Sequence, residues 1–251
     1  MKDCTATVMS NNEVARDTYL MVLQCDLPIA VPGQFVMVKI KSSLDPFLRR
    51  PLAILHYEDG RLELLYKVKG KGTTEMAGKK KGDELSVLGP LGKGFSVPAE
   101  GEDVMYVAGG TGVPPLMALA EHLKKGRMIV GARSKADIPL WERMNKIRGV
   151  DVQAATEDGS LGRKGLVTDV VEDELSGTKP RVIYACGPNP MLKKISQQAR
   201  KAGARCEVSL EEYMGCGFGV CSACAVKTVA GNQRVCMQGP VFDAALIGWD
   251  S

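Results

Sequence analysis

The stretch that decides the fold is "VMYVAGGTGVPPLMALAEHLKKG", residues 104–126. It opens with an apolar run, turns through closely spaced glycines, and continues with apolar residues at helical spacing. This order predicts a buried strand, a tight turn and an amphipathic helix. The turn is a candidate dinucleotide site, because glycines let a phosphate approach the backbone and the first helical N–H groups have no intrahelical partner. Since the spacing is not G-x-G-x-x-G, an ordinary tight turn is the alternative.

Strands and helices alternate on the C-terminal side of this stretch. We expect strands over residues 127–133, 150–156 and 180–187, and helices over residues 138–147, 165–175 and 189–203. Such alternation predicts a doubly wound parallel sheet, the α/β domain of residues 100–207. The last strand runs into "YACGPNPML", residues 184–192, and strand ends in such sheets line the ligand crevice. Cys186 lies either there or in the core, where cysteine is commonly buried.

The N-terminal side predicts an antiparallel β-barrel over residues 1–99. Short apolar runs rich in β-branched residues are separated by turns such as "EDGR" and "KKKGDE". Within it, "FLRRPLAIL", residues 47–55, carries two arginines, whose fork-shaped side chains suit phosphate. "YKVKGKGTTEM", residues 66–76, ends like a helix start, where Thr73 is a candidate cap and anion ligand. A basic surface strand followed by a loop is the alternative.

Four cysteines are clustered in the C-terminal lobe, residues 208–251. The spacing Cys216-x4-Cys221-x2-Cys224, with Cys236 further on, is typical of plant-type 2Fe–2S proteins. Small residues around them let the chain wrap tightly and aim N–H groups at the sulfurs. A zinc site prefers two C-x2-C pairs, and only one is present. Disulfides need an oxidising compartment, for which the sequence holds no signal.

Composition narrows the class of protein further. The chain has 251 residues and a net charge of +4, too weak to indicate nucleic acid or a membrane as a partner. The N-terminus "MKDCTATVMS" lacks the apolar segment of a signal peptide, so we expect a cytoplasmic protein.

In their order along the chain, "RRPLA", "GKGTTEM", "GGTGVPP" and "CGPNPM" resemble the ferredoxin–NAD(P) reductase superfamily. The ending "SLEEYMGCGFGVCSACAVKT" followed by "RVCMQGPVF" is similar to electron-transfer subunits of class B dihydroorotate dehydrogenases. The resemblance implies FAD on the barrel, NAD(H) on the α/β domain and a 2Fe–2S cluster in the lobe. It also implies a partner subunit that carries FMN and oxidises dihydroorotate in pyrimidine biosynthesis, within a heterotetramer. Electrons would pass from the FMN through the cluster and FAD to NAD⁺.

The resemblance also implies the residues of each site. Those at the flavin are Arg50, Pro51, Leu52, Ala53, Leu65, Tyr66, Lys67, Gly72 and Thr73. Those at the nicotinamide are Gly109, Gly110, Thr111, Gly112, Val113, Cys186, Gly187 and Pro188. The cluster ligands are Cys216, Cys221, Cys224 and Cys236. No side chain is assigned as a catalytic acid or base, because the cofactors carry the chemistry.

Three points remain open at this stage. Ala53 replaces the serine usual in the superfamily, which removes a hydroxyl donor near the flavin. NADH is favoured over NADPH by the resemblance, with Asp137 as a possible ribose ligand. Residues 214–220 form the expected docking rim for the partner.

Two other functions compete with this one. The first is a reductase subunit of a hydrogenase, sulfur reductase or electron-bifurcating ferredoxin complex. The second is a zinc-stabilised interaction module without redox activity.

Overall fold

The N-terminal half forms a closed six-stranded antiparallel barrel, which confirms the first part of the predicted fold class. The computed structural model describes residues 1–41, 44–177 and 180–249. Around the barrel the strands follow the order β1-β2-β5-β4-β3-β6. The elements are β1 Lys2–Ala15, β2 Thr18–Gln24, β3 Phe35–Lys39, β4 Arg50–Glu58, β5 Arg61–Lys67, α1 Lys71–Ala77 and β6 Glu84–Leu91.

Strand β5 shows how the barrel is joined to the rest of the molecule. Its alternate residues Leu62, Leu64 and Tyr66 are buried in the barrel core. The residues between them, Glu63, Leu65 and Lys67, therefore face outwards, and Glu63 and Leu65 are nevertheless buried. They are covered by the α/β domain, so the outer face of β5 is part of the contact between the domains.

The α/β domain confirms the predicted doubly wound parallel sheet. Its strand order is β10-β9-β8-β7-β11-β12-β15, parallel except for the last pair. The chain builds outwards from β7 through β8 to β10, then returns to the other side of β7 with β11. This reversal of direction lies between β7 and β11, where open α/β sheets bind ligands. The strands are β7 Val104–Gly109, β8 Gly126–Ala132, β9 Val150–Thr156, β10 Arg163–Lys164, β11 Val182–Cys186 and β12 Arg205–Ser209.

Three helices of this domain match the expected ranges, and one is much shorter. The expected ones are α2 Val113–Leu123, α4 Val167–Ser176 and α5 Asn189–Ala202. The helix expected over residues 138–147 is limited to α3, Trp141–Met144. Leu140 precedes it with φ 54°, a left-handed conformation that interrupts the helix on its N-terminal side.

The C-terminal lobe ends in a strand that joins the edge of the α/β sheet. It contains a hairpin of β13 Ala225–Thr228 and β14 Gly231–Arg234, then α6 Val235–Gln238 and β15 Val241–Asp243. Strand β15 pairs antiparallel with β12, so the lobe begins and ends at the same edge of the sheet. The expected boundary at residues 207 and 208 falls inside β12, and the division into three domains stays a prediction. Within the described ranges, no helix combines the length and apolarity that a membrane span requires.

One of the buried clusters includes residues of all three regions. Phe35, Met37 and Leu91 of the barrel belong to the same buried cluster as Cys224 and Cys236 of the lobe. Burying one such apolar side chain stabilises the fold by about 1.5–3 kcal/mol. The barrel and the lobe are therefore packed against each other rather than linked by a flexible tether.

Candidate functional site

The expected flavin residues lie where two barrel strands part. The described pairing of β4 with β5 runs from Glu58 and Arg61 to Ile54 and Leu64, and extends no further. Residues 50–53 on β4 and 65–67 on β5 therefore lie on the two sides of an opening in the barrel wall. Peptide groups that line such an opening are available to the polar edge of a planar ligand.

Arg50 and Gly72 come together at one end of this opening. A Cβ on Gly72 would lie 2.5 Å from Nε and 2.7 Å from Cζ of Arg50, so the guanidinium packs directly against the chain at this glycine. The side chain of Thr73 caps the start of α1, accepting hydrogen bonds from the N–H groups of Lys69 at 2.9 Å and Gly70 at 3.2 Å. A guanidinium beside a helix start fits a diphosphate. The Thr73 hydroxyl serves the turn itself, as a cap.

The other flavin candidates differ in what they offer. The ring of Tyr66 points into the barrel, where its hydroxyl donates to Oδ1 of Asn11 at 2.9 Å, and burial raises the pKa of Tyr66 to about 12. Tyr66 therefore presents only its backbone to the opening. Ala53 pairs with Phe35 of β3 and adds no polar atom. Lys67 points towards the α/β domain, where its Nζ lies 3.9 Å from Oδ1 of Asp137.

The two candidate nucleotide turns meet at the reversal point of the sheet. A Cβ on Gly112 would lie 2.1 Å from the carbonyl oxygen of Cys186 and 2.8 Å from the backbone nitrogen of Gly187. Gly187 in turn packs on Gly109, and Gly110 has φ 54°. The glycines thus allow a backbone-to-backbone contact that no larger residue permits, at the start of α2 and at the reversal point where open α/β sheets have their ligand crevice. This geometry fits a dinucleotide.

Two side chains at this end of the sheet are not exposed to the crevice. Cys186 is 2% exposed and belongs to the core, which is the alternative that the sequence left open. Burial raises the pKa of its thiol. Asp137 accepts a hydrogen bond from the Ser134 hydroxyl at 2.7 Å and pairs with Arg16 and Lys67 of the barrel. Its Oδ2 is engaged by Ser134, whereas its Oδ1 accepts no hydrogen bond from a residue that the structure describes, and the ribose role stays a prediction.

The four clustered cysteines form two adjacent pairs. Cys216 lies next to Cys221, and Cys236 lies next to Cys224. In the part of the chain that the structure describes, no three His, Cys, Asp or Glu side chains converge on a point where they could hold a single ion. Two thiols for each of two irons is the arrangement that a 2Fe–2S cluster needs, whereas a structural zinc ion needs four around one point. The donor set therefore fits the two-iron cluster.

Backbone N–H groups are aimed at the first of these sulfurs. The N–H groups of Val220 and Cys221 donate to Sγ of Cys216 at 3.3 and 3.5 Å. Burial acts to raise the pKa of Cys216, but the backbone N–H groups outweigh it and lower that pKa to about 6. Gly217 and Gly219 make the wrap possible, with φ of 84° and 89°. The loop therefore favours the thiolate of Cys216, which is the form that binds iron, whereas burial raises the pKa of Cys236 to about 12.

One functional contact could not be found in the sequence. A Cβ on Gly217 would lie 2.4 Å from Cγ of Met37, so the cysteine loop rests directly on β3 of the barrel. The only sequence signal was the glycine-rich composition of the loop, which is equally well explained by the wrap itself. This contact brings the cysteine loop against the barrel that holds the flavin opening.

Comparison with known proteins agrees with this geometry. Residues 211–248 match the family model described as the iron-sulfur cluster binding domain of dihydroorotate dehydrogenase B. Residues 106–197 match the oxidoreductase NAD-binding domain. Together the two matches cover the cysteine lobe and the sheet with its crevice.

Relatives and solved structures match along nearly the whole chain. The dihydroorotate dehydrogenase B (NAD(+)) electron transfer subunit of Caldanaerobacter subterraneus subsp. tengcongensis is 38% identical over 94% of this chain and 95% of its own length. The corresponding subunit of Desulforamulus reducens is 40% identical over 98% of both chains. A chain from the structure of an NADH-dependent reduced ferredoxin-NADP oxidoreductase, described in connection with flavin-based electron bifurcation, aligns with a TM-score of 0.86 and 31% identity over 98% of this chain and 90% of that one. The chain belongs to the family of electron transfer subunits of dihydroorotate dehydrogenase B.

Proposed function

We propose that this chain is the electron-transfer subunit of a class B dihydroorotate dehydrogenase and passes electrons from the dihydroorotate-oxidising partner to NAD⁺ in pyrimidine biosynthesis. The observation that carries the proposal is that one chain holds three candidate cofactor sites. They are the opening between β4 and β5, the crevice between β7 and β11, and the cysteine loop. Contact between Gly217 and Met37 joins the last of these to the barrel. Its cofactors are FAD, NAD(H) and a 2Fe–2S cluster.

A bound flavin can exchange hydride with nicotinamide and single electrons with an iron–sulfur cluster, which is why it belongs between them. The chain contributes binding and orientation. Arg50 and the start of α1 hold the flavin diphosphate, and residues 50–53 and 65–67 line the ring. Gly109 to Val113 and Cys186 to Pro188 hold the nicotinamide dinucleotide, the latter through backbone atoms. Cys216 and Cys221 ligate one iron, and Cys224 and Cys236 ligate the other.

The partner in this proposal is an FMN-containing catalytic subunit, assembled with this chain into a cytoplasmic heterotetramer. The rim of the cysteine loop, residues 214–220, is the docking surface. Phe218 is 41% exposed and Val220 is more exposed still, so apolar side chains surround a loop that has to exchange electrons. Apolar side chains next to a redox centre are suited to a dry contact with another protein.

The docking surface can be tested with Phe218→Asp. Met9→Asp is the matched control, because Met9 is a barrel residue that is 43% exposed. We expect Phe218→Asp to weaken capture of the catalytic subunit by a tagged chain, and Met9→Asp to leave it intact. Equal capture by both variants would contradict the assignment of this rim.

The function itself is tested on the anaerobically purified chain and its native complex. We expect FAD, iron and acid-labile sulfide in the chain, and dihydroorotate-dependent reduction of NAD⁺ by the complex. Zinc without iron or sulfide would instead support the interaction-module alternative.

The 31% identity to the bifurcating oxidoreductase supports a second candidate function, that of a reductase subunit in an electron-bifurcating complex. Identity to the dihydroorotate dehydrogenase subunits is higher, at 38–40% for the two named above. The co-purifying protein distinguishes the two functions. A dihydroorotate-oxidising FMN subunit supports the first, whereas a large flavoprotein that reduces ferredoxin supports the second.

A further inference from the structure

The outer face of β5 carries the acid Glu63 and the base Lys67 on either side of Leu65, and begins with a second base, Arg61. Glu63 and Lys67 both point at the α/β domain, with the buried Leu65 between them. Lys67 and Leu65 border the flavin opening, whereas Glu63 lies further along the strand. The strand that borders the flavin is therefore also the strand on which the nucleotide-binding domain rests.

Glu63 is the more deeply buried of the two charges, at 5% exposure. Its carboxylate accepts hydrogen bonds from Arg61 of the same strand, at 2.6 Å, and from Arg143 of α3 across the domain contact. Arg143 also pairs with Glu121 of α2 at 3.1 Å. Burial acts to raise the pKa of Glu63, but the two arginines outweigh it and hold that pKa below its ordinary value. Glu63 and Arg143 are thus both charged, and their ion pair connects the barrel to the α/β domain.

Lys67 makes the complementary contact at the flavin end. Its partner Asp137 is 9% exposed and also lies 3.8 Å from the Arg16 guanidinium. Oδ1 of Asp137 accepts no hydrogen bond from any residue that the structure describes, although Lys67 Nζ is 3.9 Å away. The barrel thus offers the acid Glu63 to a base of the α/β domain and the base Lys67 to an acid of that domain.

Helix α2 connects these contacts to the nucleotide crevice. It begins directly after the glycine turn, packs along β4, and carries Glu121 near its C-terminal end. A rotation of the α/β domain that separated Arg143 from Glu63 would therefore move the start of α2 relative to the flavin opening. The opposite charges of Glu63 and Lys67 also disfavour other orientations, because exchanging their partners would bring like charges together.

From this arrangement we propose that Glu63 and Arg143 are positioning residues for hydride exchange: their ion pair, with Lys67 and Asp137 as its counterpart, sets the orientation of the nucleotide domain on the flavin strand. The proposal rests on the proposed function. Neither residue borders the opening or the crevice. Their effect is mechanical, since hydride transfer needs reacting atoms within about 3–3.5 Å and a displacement of about 1 Å can slow such a step by roughly 100-fold.

The test compares Glu63→Gln and Arg143→Lys with the wild-type holoprotein. Glu63→Gln keeps the shape and removes the charge, and Arg143→Lys keeps the charge and removes the fork. Glu174→Gln is the control, because it breaks the ion pair between Arg127 and Glu174, which is partly buried and lies wholly inside the α/β domain. Two readouts are used: the rate of FAD reduction by NADH in rapid mixing, and hydrogen–deuterium exchange along β5 and α2.

We expect Glu63→Gln to slow FAD reduction at saturating NADH by about 10- to 100-fold, with half-saturation by NADH, FAD content and reduction by dithionite unchanged. Exchange should rise in β5 and α2 but not in β8. Arg143→Lys should keep a larger part of the wild-type rate than Glu63→Gln does. Glu174→Gln should behave as wild type.

Wild-type rate and exchange in Glu63→Gln would overturn the proposal, as would an equal loss in Glu174→Gln. If NADH fails to reduce the wild-type flavin, the proposed function fails. The exchange experiment still decides whether this ion pair holds the domains together.

Discussion

Replacing Gly112 with alanine should separate the two nucleotide turns. The added Cβ would lie 2.1 Å from the carbonyl oxygen and 2.4 Å from the carbonyl carbon of Cys186, and 2.8 Å from the nitrogen of Gly187. All three are main-chain atoms of a buried strand end, so none can rotate away. Non-bonded heavy atoms are comfortable only at about 3.5 Å, and the turns must therefore move apart by about 1 Å.

The expected effect has two parts. Overpacking of this kind destabilises a fold by about 1–3 kcal/mol. A shift of about 1 Å at the site that holds the nicotinamide can slow hydride transfer by roughly 100-fold. Gly203→Ala is the matched control, because Gly203 follows the far end of α5, its Cβ would meet nothing within 4 Å, and its φ is 73°. That substitution carries only the left-handed penalty of about 1–2 kcal/mol.

Rapid mixing of each holoprotein with NADH, followed at the flavin absorbance, measures the rate. Thermal unfolding measures stability, and FAD and iron content verify that the other two sites are intact. The reasoning is refuted if Gly112→Ala is reduced by NADH as fast as wild type, or if Gly203→Ala loses as much activity as Gly112→Ala.

Three further outcomes are expected. Cys224→Ser should abolish the iron and acid-labile sulfide content, whereas Cys206→Ser, a buried cysteine on β12 outside the cluster, should retain both. Arg50→Gln should weaken FAD retention by about 10- to 100-fold, the equivalent of one charged hydrogen bond of about 1.5–3 kcal/mol, as measured by equilibrium dialysis. Because the pKa of Glu63 is held below its ordinary value of 4.5, its contribution to stability is present above that pH and is lost as the pH falls through the folded-state pKa. Denaturation by urea from pH 7 down to pH 3 should therefore show a steeper loss for wild type than for Glu63→Gln.

The fold was predictable because its signals are local. Alternation in "RLELLYKV" and the run "VMYVA" followed by a glycine turn each identify an element without reference to the rest of the chain. The cysteine spacing predicted the kind of metal group for the same reason. Helix α3 was predicted too long, over residues 138–147, because its apolar pattern begins before Leu140, whose left-handed backbone the pattern does not encode.

Contacts between distant residues were not predictable. Glu63 and Arg143 are 80 positions apart, and in the sequence each looks like an ordinary surface charge. The inward orientation of Tyr66 depends on which face of β5 meets the barrel core, a choice made by the closed sheet. Asp137 was placed correctly near the strand ends, but its partners Arg16 and Lys67 belong to another domain.

Strand β15 has a consequence for how the protein matures. Pairing with β12 brings both ends of the cysteine lobe to one sheet edge, and the N–H of Leu210 donates to the carbonyl of Pro240 at 2.9 Å. Pairing of β15 with β12, rather than iron binding, therefore offsets the entropic cost of closing this long loop. Small metal-binding domains fold only around their metal. In this chain, by contrast, the cysteine lobe should already be folded when the iron–sulfur cluster is delivered to it. A cluster destroyed by oxygen can then be rebuilt in place, without refolding the flavin and nucleotide domains.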